Sequence, residues 1–239
     1  QKVYFDDLDS DEKSERIVLE TNEAGYGCLK IYNPSHLGQF NSRVVLPQTS
    51  TNFFTTDWNG DNYKEIYFCG IRNDSVFLNR TDYKYLGTPE EFFIDALKPN
   101  ADISIWVGRA TDLDADGKKE ILLYINGGFS LQPRKIYAVN FQTKEVLHSP
   151  FTGAKVSVDK VDNLKGDGIP ELICGSFATR NYPESVQYSD HYSWVFIFDN
   201  TLNFAVKPIR VSAQKASVRV EIINKKGQKF IVAYLNIKD

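Results

Sequence analysis

The chain repeats one short acidic pattern four times along its 239 residues. The copies begin at residues 7, 57, 112 and 163, so consecutive copies start 50, 55 and 51 residues apart. A regular interval of about 50 residues is typical of repeat proteins, and propeller blades have lengths in this range. The interval therefore predicts one structural unit for each copy.

Each copy lies between two short apolar segments rich in β-branched and aromatic residues, which is the composition of β-strands. The acidic pattern is therefore predicted to form the loop of a β-hairpin. Further strand-like segments follow in each repeat, and four strands per repeat is the number in a propeller blade. The segments before the loops are 3–5, 53–54, 105–107 and 156–158; those after them are 17–19, 66–68, 121–124 and 172–173; the further candidates are 28–32, 76–78, 135–139 and 194–198.

These features predict an all-β fold, a single β-propeller domain over residues 1–239 with about five four-stranded blades and a reduced last blade. The repeats begin near residues 3, 53, 105 and 156, and a degenerate repeat begins near 217. Its loop, 224–231, keeps Gly227 and the following strand but has lost the acidic residues, so we expect it to keep the fold without a metal. One segment departs from the pattern: 89–97 is expected to be a short helix with Thr88 as its cap and Glu90 and Glu91 in its first turn.

Acidic residues at positions 1, 3, 5 and 9 of a nine-residue loop can converge on one cation, and the main-chain carbonyl at position 7 can complete the ligand shell. Calcium suits such a site because it binds six to eight oxygen ligands in flexible geometry. In the third copy, four carboxylates lie within nine residues, and a divalent ion would relieve their mutual repulsion. Gly117, at position 6, allows the positive φ angle of a sharp turn.

The first two copies are also expected to bind calcium. The first has Glu12 at position 6, and the second has Asn62 there, a residue that tolerates positive φ. About three structural calcium sites are therefore expected. Their ligands are Asp7, Asp9, Asp11 and Glu15 with the Lys13 carbonyl; Asp57, Asn59, Asp61 and Glu65 with the Tyr63 carbonyl; and Asp112, Asp114, Asp116 and Glu120 with the Lys118 carbonyl.

The fourth copy is a doubtful metal site. It offers Asn163, Asp167 and Glu171, but Lys165 occupies position 3, where its ammonium group could take the place of an ion. We expect this loop to be empty, although Asp162 lies only one residue out of register. The alternative for all four copies is that they are acidic turns, since Asp, Asn and Gly favour turns for conformational reasons alone.

The loops resemble the FG-GAP or VCBS repeats of the integrin α-chain propeller and its bacterial relatives, whose pattern is D-x-D-G-D-G-x-x-D/E followed by an apolar strand. The resemblance covers about residues 3–235 and is nearly complete at 112–121. The Phe-Gly and Gly-Ala-Pro elements of that family are poorly kept, with 175–178 as the nearest remnant, so the resemblance is to the bacterial type. Segment 194–203 also looks like propeller segments of bacterial membrane sensors and secreted surface proteins.

This resemblance implies a non-catalytic, calcium-stabilised binding or sensor module whose carbohydrate, peptide or protein ligand binds on a propeller face. The alternatives are a propeller-type polysaccharide lyase or hydrolase, and a surface adhesion scaffold. Family propellers usually have seven blades, so this chain is either a small propeller or one part of a larger, membrane-anchored protein.

The insertion at 176–193 is the candidate ligand-binding segment, because aromatic and hydrogen-bonding side chains on a loop suit carbohydrate or peptide binding. The alternative is a loop packed by its own tyrosines. His36, His148 and His191 are isolated in sequence and accompany no nucleophile motif, so no enzyme is predicted. The candidate ligand-binding residues are Arg180, Tyr182, Tyr188, Asp190, His191 and Tyr192.

Composition and charge limit the classes of partner and the cellular locations that fit this chain. A formal net charge of -3 gives no electrostatic reason to expect nucleic acid. Apolar runs such as the pentads 121–125 and 194–198 are too short to span a bilayer. Cys28, Cys69 and Cys174 are expected to be buried thiols, or two of them a disulfide. A periplasmic, cell-surface or secreted location is preferred, because extracellular calcium modules fill at about millimolar concentrations.

Overall fold

A computed structural model describes residues 2–21, 23, 27–34, 42–45, 53–83, 89–129, 131–212 and 215–237. These residues form eighteen β-strands and no α-helix, which confirms the predicted all-β class. Within the same residues, no helix is long and apolar enough to cross a membrane. The chain divides into two compact units, Gln1–Pro99 with Trp106–Arg109, and Asn100–Ile105 with Ala110–Asp239.

The first unit contains two four-stranded antiparallel sheets, and in each sheet the strands pair in chain order. Each acidic loop connects the first strand of its sheet to the second, as the sequence predicts. The first sheet comprises β1 (Lys2–Asp6), β2 (Glu15–Thr21), β3 (Gly27–Tyr32) and β4 (Ser42–Val45); the second comprises β5 (Phe53–Thr56), β6 (Glu65–Arg72), β7 (Ser75–Asp82) and β8 (Glu90–Ala96).

The core of the first unit joins these two sheets. Alternate residues of β2 and β3 face alternate residues of β6, and the loop residue Leu8 is fully buried among them. Because strand side chains alternate between two faces, this cluster uses one face of each sheet. Its buried members are Leu8, Ile17, Leu19, Leu29, Ile31, Ile66 and Phe68.

The prediction of a short helix at 89–97 is wrong, because strand β8 occupies Glu90–Ala96. Phe92 is buried whereas its neighbour Phe93 is 55% exposed, which is the two-residue period of a strand. The two glutamates make cross-strand ion pairs with β7 and the end of β6: Glu90 with Arg80 at 2.7 Å and Glu91 with Arg72 at 2.5 Å. Pairing with β7 therefore overrides the helix-start composition. Thr88 lies outside the described residues.

The second unit contains one four-stranded sheet and one six-stranded sheet. In the larger sheet, β13 to β16 pair in chain order, and the β17–β18 hairpin joins β14 through the pair Phe177 and Ser217. The strands are β9 (Ile103–Thr111), β10 (Glu120–Gly127), β11 (Arg134–Asn140), β12 (Glu145–His148), β13 (Lys155–Asp162), β14 (Glu171–Phe177), β15 (Ser193–Phe198), β16 (Ile209–Ser212), β17 (Ala216–Lys225) and β18 (Gln228–Ile237).

Strand β14 contributes to two apolar clusters, one on each of its faces. Leu172 and Cys174 pack with residues of β10 and β11, and Ile173 packs with Val218 and Val220 of β17. Strand β14 is therefore covered on one face by side chains of the neighbouring sheet and on the other by side chains of β17, through which the terminal hairpin continues the larger sheet. The degenerate fifth copy is the turn of this hairpin, where Gly227 has a φ of 77°.

Three predictions about the whole chain have different outcomes. The three cysteines are buried thiols, and burial raises the pKa of Cys69 to about 12. Four repeats each form the predicted set of four strands in chain order, and the fifth forms two strands. A closed propeller of about five blades and a single domain over 1–239 stay predictions.

Candidate functional site

The four acidic segments form loops with one shared internal hydrogen-bond pattern. We call them loop 1 (7–15), loop 2 (57–65), loop 3 (112–120) and loop 4 (163–171). In each loop, the backbone N–H at position 2 donates to Oε2 of the glutamate at position 9. These bonds are Leu8 to Glu15 (2.8 Å), Trp58 to Glu65 (3.0 Å), Leu113 to Glu120 (2.8 Å) and Leu164 to Glu171 (2.9 Å).

The position-9 glutamates are buried in all four loops, with at most 4% of any side chain exposed. Each begins the second strand of its sheet, so the start of an apolar strand carries its carboxylate into the interior. Burial is the largest influence on their acidity and raises the pKa of Glu15, Glu65 and Glu120. Three of the four loops therefore hold a carboxylate where ionisation without a cation is costly.

The side chain at position 1 accepts hydrogen bonds from the backbone of its own loop. In loop 3, for example, Asp112 accepts from the N–H groups of Asp116 (3.1 Å) and Gly117 (2.9 Å). Asp7, Asp57 and Asn163 do the same in their loops. The position-5 carboxylate accepts from the N–H at position 7, as Asp61 does from Tyr63 at 2.9 Å.

Two residues of every loop have positive φ. At position 6 these are Glu12, Asn62, Gly117 and Gly168, so the left-handed conformation predicted there is confirmed. The sequence analysis missed the same conformation at position 4, where Ser10, Gly60, Ala115 and Gly166 have φ between 59° and 79°. Gly60 and Gly166 could have indicated a left-handed residue at position 4, because glycine adopts positive φ readily.

Loop 1 gathers three carboxylates around one point. Oxygen atoms of Asp7, Asp9 and Glu15 all lie within 4.8 Å of one another. Glu15 is fully buried, and among the described residues neither its Oε1 nor Oδ1 of Asp9 has a hydrogen-bond partner. Buried polar atoms in proteins almost always have partners. Two orphaned oxygens in one acidic cluster therefore indicate a site that lacks a cationic or hydrogen-donating partner.

Loop 3 gathers the equivalent group, with oxygens of Asp112, Asp114 and Glu120 within 4.8 Å of one another. Glu120 Oε1 accepts a hydrogen bond from Asn140 Nδ2 at 2.8 Å. Asn140 ends β11 and also lines a small cavity beside Asp114 and Glu120. Sequence reasoning missed Asn140, because only strand pairing brings it to the loop.

The predicted position-5 ligands do not join these clusters. Asp11 and Asp116 instead accept hydrogen bonds from the N–H groups of Lys13 and Lys118, the residues whose carbonyls are predicted ligands. Loop 2 forms no third cluster of carboxylates among the described residues. Its position-3 residue, Asn59, accepts from the N–H of Asp61 at 3.1 Å. Coordination by these position-5 carboxylates and position-7 carbonyls stays a prediction.

Loop 4 contains its own cation. The Lys165 ammonium lies 2.8 Å from Oε1 of the buried Glu171, in the position that the sequence suggested for it. A second lysine, Lys229 from the terminal hairpin, donates to Asp162 at 2.8 Å and to the Asn163 carbonyl at 2.6 Å. Loop 4 is therefore neutralised by lysines. Asp167 accepts from the N–H of Ile169 at 3.0 Å.

The insertion between β14 and β15 is organised around a buried ion pair. Arg134 and Asp190 are both fully buried, 3.0 Å apart. Asp190 also accepts from Thr179 Oγ1 at 2.5 Å and from the N–H groups of Asn181 and Tyr182, each at 2.9 Å. Burial alone would raise the pKa of Asp190, but these hydrogen bonds outweigh it and hold the pKa below its ordinary value. Asp190 therefore fixes the conformation of the insertion.

Of the other predicted ligand-binding residues, two pack against neighbouring side chains and three are exposed or half-buried. Tyr182 is buried beneath Arg134, whose guanidinium lies 4.5 Å from the ring centroid. Tyr188 packs edge-on against Trp194, Phe196 and Phe204. Arg180 is exposed, His191 and Tyr192 are half-buried, and Arg210 lies over the Tyr192 ring. Ligand binding by this insertion stays a prediction.

The two histidines that the structure describes, His148 and His191, show no shared geometry that suggests catalysis. His148 lies at the end of β12, where its Nδ1 is 3.1 Å from the Ser149 carbonyl. His191 lies in the insertion, and its backbone N–H donates to Ser189 Oγ at 3.2 Å. His36 lies outside the described residues. The absence of an enzyme site stays a prediction.

Comparisons with known proteins add no relative. No protein-family model matches the chain, and no curated protein matches it. The resemblance to FG-GAP repeats therefore depends on the four loops and their strands.

Proposed function

We propose that this chain is a calcium-stabilised binding or sensor module in which loops 1, 2 and 3 bind structural calcium. The observation that carries the proposal is the orphaned Oε1 of the fully buried Glu15, which shares a cluster with Asp7 and Asp9. An ionised carboxylate in the interior is costly unless a cation or hydrogen-bond donor meets it. A calcium ion would meet Glu15, Asp7 and Asp9 together.

The donor set fits calcium better than other common metals. The clusters in loops 1 and 3 offer only carboxylate oxygens, whereas structural zinc sites use cysteine and histidine. Magnesium requires a near-ideal octahedron and retains its waters, whereas calcium accepts irregular oxygen shells. Asp7, Asp9, Asp11 and Glu15, with the Lys13 carbonyl, would hold the ion in loop 1. The bound ion would supply positive charge that neutralises the loop.

Calcium in these loops would brace the strands and perform no chemistry. Each loop joins the first two strands of a sheet, so an ion held by positions 1, 3 and 9 would fix the hairpin to which they belong. Support for a propeller comes from both units, in which consecutive sheets pack face to face through apolar clusters. The proposed ligand is a carbohydrate, peptide or protein that binds a propeller face.

The proposed location is the periplasm, the cell surface or the extracellular medium, where calcium reaches the concentrations that exposed loops need. A net charge of -3 and the acidic loops do not favour nucleic acid as the partner. The proposal includes the case in which this module belongs to a larger membrane-anchored protein.

The test is a thermal melt in excess chelator, in magnesium and in calcium. An ion that binds only the folded state raises its stability, by about 2.7 kcal/mol at a concentration one hundred times the dissociation constant. We expect a calcium-selective increase in Tm, reduced in Glu15→Gln and Glu120→Gln but retained in Glu171→Gln, because Lys165 already neutralises loop 4. A Tm that follows ionic strength alone would mean that the loops are acidic turns.

A further inference from the structure

Loops 1 and 2 are joined by a backbone hydrogen bond between residues far apart in sequence. The N–H of Lys64, at position 8 of loop 2, donates to the carbonyl of Leu8, at position 2 of loop 1, over 2.8 Å. The N–H of the same Leu8 donates to Glu15 Oε2. Leu8 therefore links the buried carboxylate of loop 1 to the residue that precedes Glu65, the buried carboxylate of loop 2.

A second bridge runs in the opposite direction. Ser10 Oγ, at position 4 of loop 1, donates to the Asn62 carbonyl, at position 6 of loop 2, over 2.9 Å. The N–H of Asn62 donates to Asp57 Oδ2 over 3.1 Å. Ser10 and Asn62 both have positive φ, so the bridge joins a left-handed residue of loop 1 to a left-handed residue of loop 2. The first bridge thus connects Glu15 of loop 1 to the backbone of loop 2, and the second connects Asp57 of loop 2 to the Ser10 side chain of loop 1.

The strand that enters loop 1 strengthens this connection. Asp6, the last residue of β1, accepts hydrogen bonds from Lys64 Nζ at 2.7 Å and from Thr55 Oγ1 of β5. Asp6 is therefore held by Lys64 of loop 2 and by Thr55 of the strand that enters loop 2. The Lys64 ammonium also places positive charge beside Asp6. The Asp6 carboxylate is therefore not available as an additional ligand.

We propose that loops 1 and 2 bind divalent cations as a coupled pair, in which filling one loop raises the affinity of the other through these two bridges. This proposal rests on the proposed calcium function, and its second support is the orphaned, fully buried Glu15 Oε1. An ion in loop 1 would fix Glu15, Leu8 and Ser10. An ion that then binds loop 2 would cause a smaller loss of conformational entropy. Couplings of this kind are typically about fivefold or more in affinity.

Trp58 makes the affinity of loop 2 measurable on its own. Trp58 occupies position 2 of loop 2, and its backbone N–H donates to Glu65 Oε2. Because its indole belongs to a residue of the loop, it can sensitise the luminescence of terbium bound there. Trp58→Phe assigns the signal, because the emission that this variant loses is the part sensitised by Trp58 at loop 2. The terbium dissociation constant of loop 2 is then compared between the wild type and Asp11→Asn/Glu15→Gln, which disables loop 1.

We expect Asp11→Asn/Glu15→Gln to weaken terbium binding at loop 2 at least fivefold. The matched control is Asp116→Asn/Glu120→Gln, which changes the same two positions of loop 3 and should leave that constant unchanged. Ser10→Ala removes only the second bridge and keeps every candidate ligand, and we expect at least a twofold loss. Alanine fits there, since Ala115 holds position 4 of loop 3 with a φ of 62°.

The outcomes separate the coupling from the calcium proposal. If the wild type binds neither terbium nor calcium, both fail. If it binds them but neither loop 1 variant changes the affinity of loop 2, or if the loop 3 control lowers it equally, the coupling is overturned and the calcium proposal stands. Circular dichroism verifies folding, and if the double variant does not fold, Ser10→Ala decides alone: an unchanged constant overturns the coupling.

Discussion

The backbone N–H of Leu8 donates a hydrogen bond to Glu15 Oε2 over 2.8 Å, and this bond closes the first acidic loop. The same bond closes the other three loops, so one glutamate oxygen has a structural role in each of the four acidic loops. Where the contacts of the second oxygen are seen, they differ between the loops. It is orphaned in Glu15, accepts from Asn140 in Glu120, and meets the Lys165 ammonium in Glu171.

Glu15→Gln is expected to have opposite effects without and with calcium. In excess chelator, glutamine can keep the hydrogen bond from Leu8 and avoids burying a charge, so the free energy of unfolding should rise by about 1 kcal/mol. In saturating calcium the variant should be less stable than the wild type, because one site is lost. Urea unfolding followed by circular dichroism measures both.

The control for this prediction is Glu171→Gln in loop 4. It removes the partner of Lys165 at a carboxylate that already has a cation. We therefore expect it to lower stability in chelator and in calcium alike. If Glu15→Gln also shifted stability equally in both conditions, the orphaned oxygen would not be a calcium ligand.

The same substitution gives a pH dependence with a defined sign. Burial raises the pKa of Glu15 above its ordinary value of 4.5, so the folded state holds the proton more tightly than the unfolded state. In chelator, ionisation of Glu15 therefore costs stability above the folded-state pKa, and the cost disappears as the pH falls toward 4.5. The stability advantage of Glu15→Gln over the wild type should shrink across that window. An advantage that is constant with pH would contradict the prediction.

Lys165→Asp is expected to convert loop 4 into a cation site. The change removes the ammonium that meets Glu171 and adds a carboxylate at position 3, where loops 1 and 3 have aspartate, while Asn163 stays at position 1. Calorimetric titration should then show one more calcium ion per chain than the wild type. Lys165→Met is the control, since it removes the ammonium without adding a ligand. No additional ion in Lys165→Asp would show that position 3 does not decide occupancy.

The strands beside the loops could be predicted, because alternation and β-branched residues directly mark a half-buried strand. The short edge strands β4, β12 and β16, each of four residues, could not, since pairing with a neighbour decides them. Segment 89–97 shows the same limit more clearly. Its glutamates suggest a helix start, but in the sheet they pair with Arg80 on the adjacent strand β7 and with Arg72 at the end of β6.

The loops were predictable in part: the carboxylates at positions 1, 3 and 9 converge in loops 1 and 3, whereas the position-5 carboxylates accept hydrogen bonds from their own backbone. The burial of Glu15 and the salt bridge of Lys165 follow from the spacing of the loop positions. The roles of Arg134 and Asn140 do not. Asn140 meets Glu120 through the pairing of β11 with β10, and Arg134 meets Asp190, which is 56 residues away in sequence. Asp190 illustrates the ambiguity: an exposed ligand-binding residue and a buried structural one look the same in sequence.

Exchanging residues at position 6 is expected to shift stability in opposite directions. Glu12 has a φ of 68° in loop 1, and Gly117 has a φ of 88° in loop 3. Glycine adopts this region without strain, so Glu12→Gly should stabilise the fold by up to about 1 kcal/mol and Gly117→Glu should destabilise it similarly. Chemical unfolding in chelator measures both effects without a contribution from the ion. A loss of stability in Glu12→Gly would show that its side chain matters more than its backbone.

Arg134→Lys is expected to destabilise the second unit strongly, although it keeps the positive charge. Arg134 donates to the Asp190 carboxylate and to the carbonyls of Gly127, Gly128 and Gly153, and an ammonium cannot reproduce that planar set of donors. Breaking a buried, hydrogen-bonded ion pair costs about 3–5 kcal/mol. Urea unfolding measures the loss.

Arg72→Lys, at the exposed pair with Glu91, is the matched control for Arg134→Lys and should cost less than about 1 kcal/mol. Because the pKa of Asp190 is held below its ordinary value of 3.8, the wild type should lose the contribution of this carboxylate as the pH falls through the folded-state value. Asp190→Asn should remove that acid-dependent step. Equal losses in Arg134→Lys and Arg72→Lys would show that the buried pair does not hold the insertion in place.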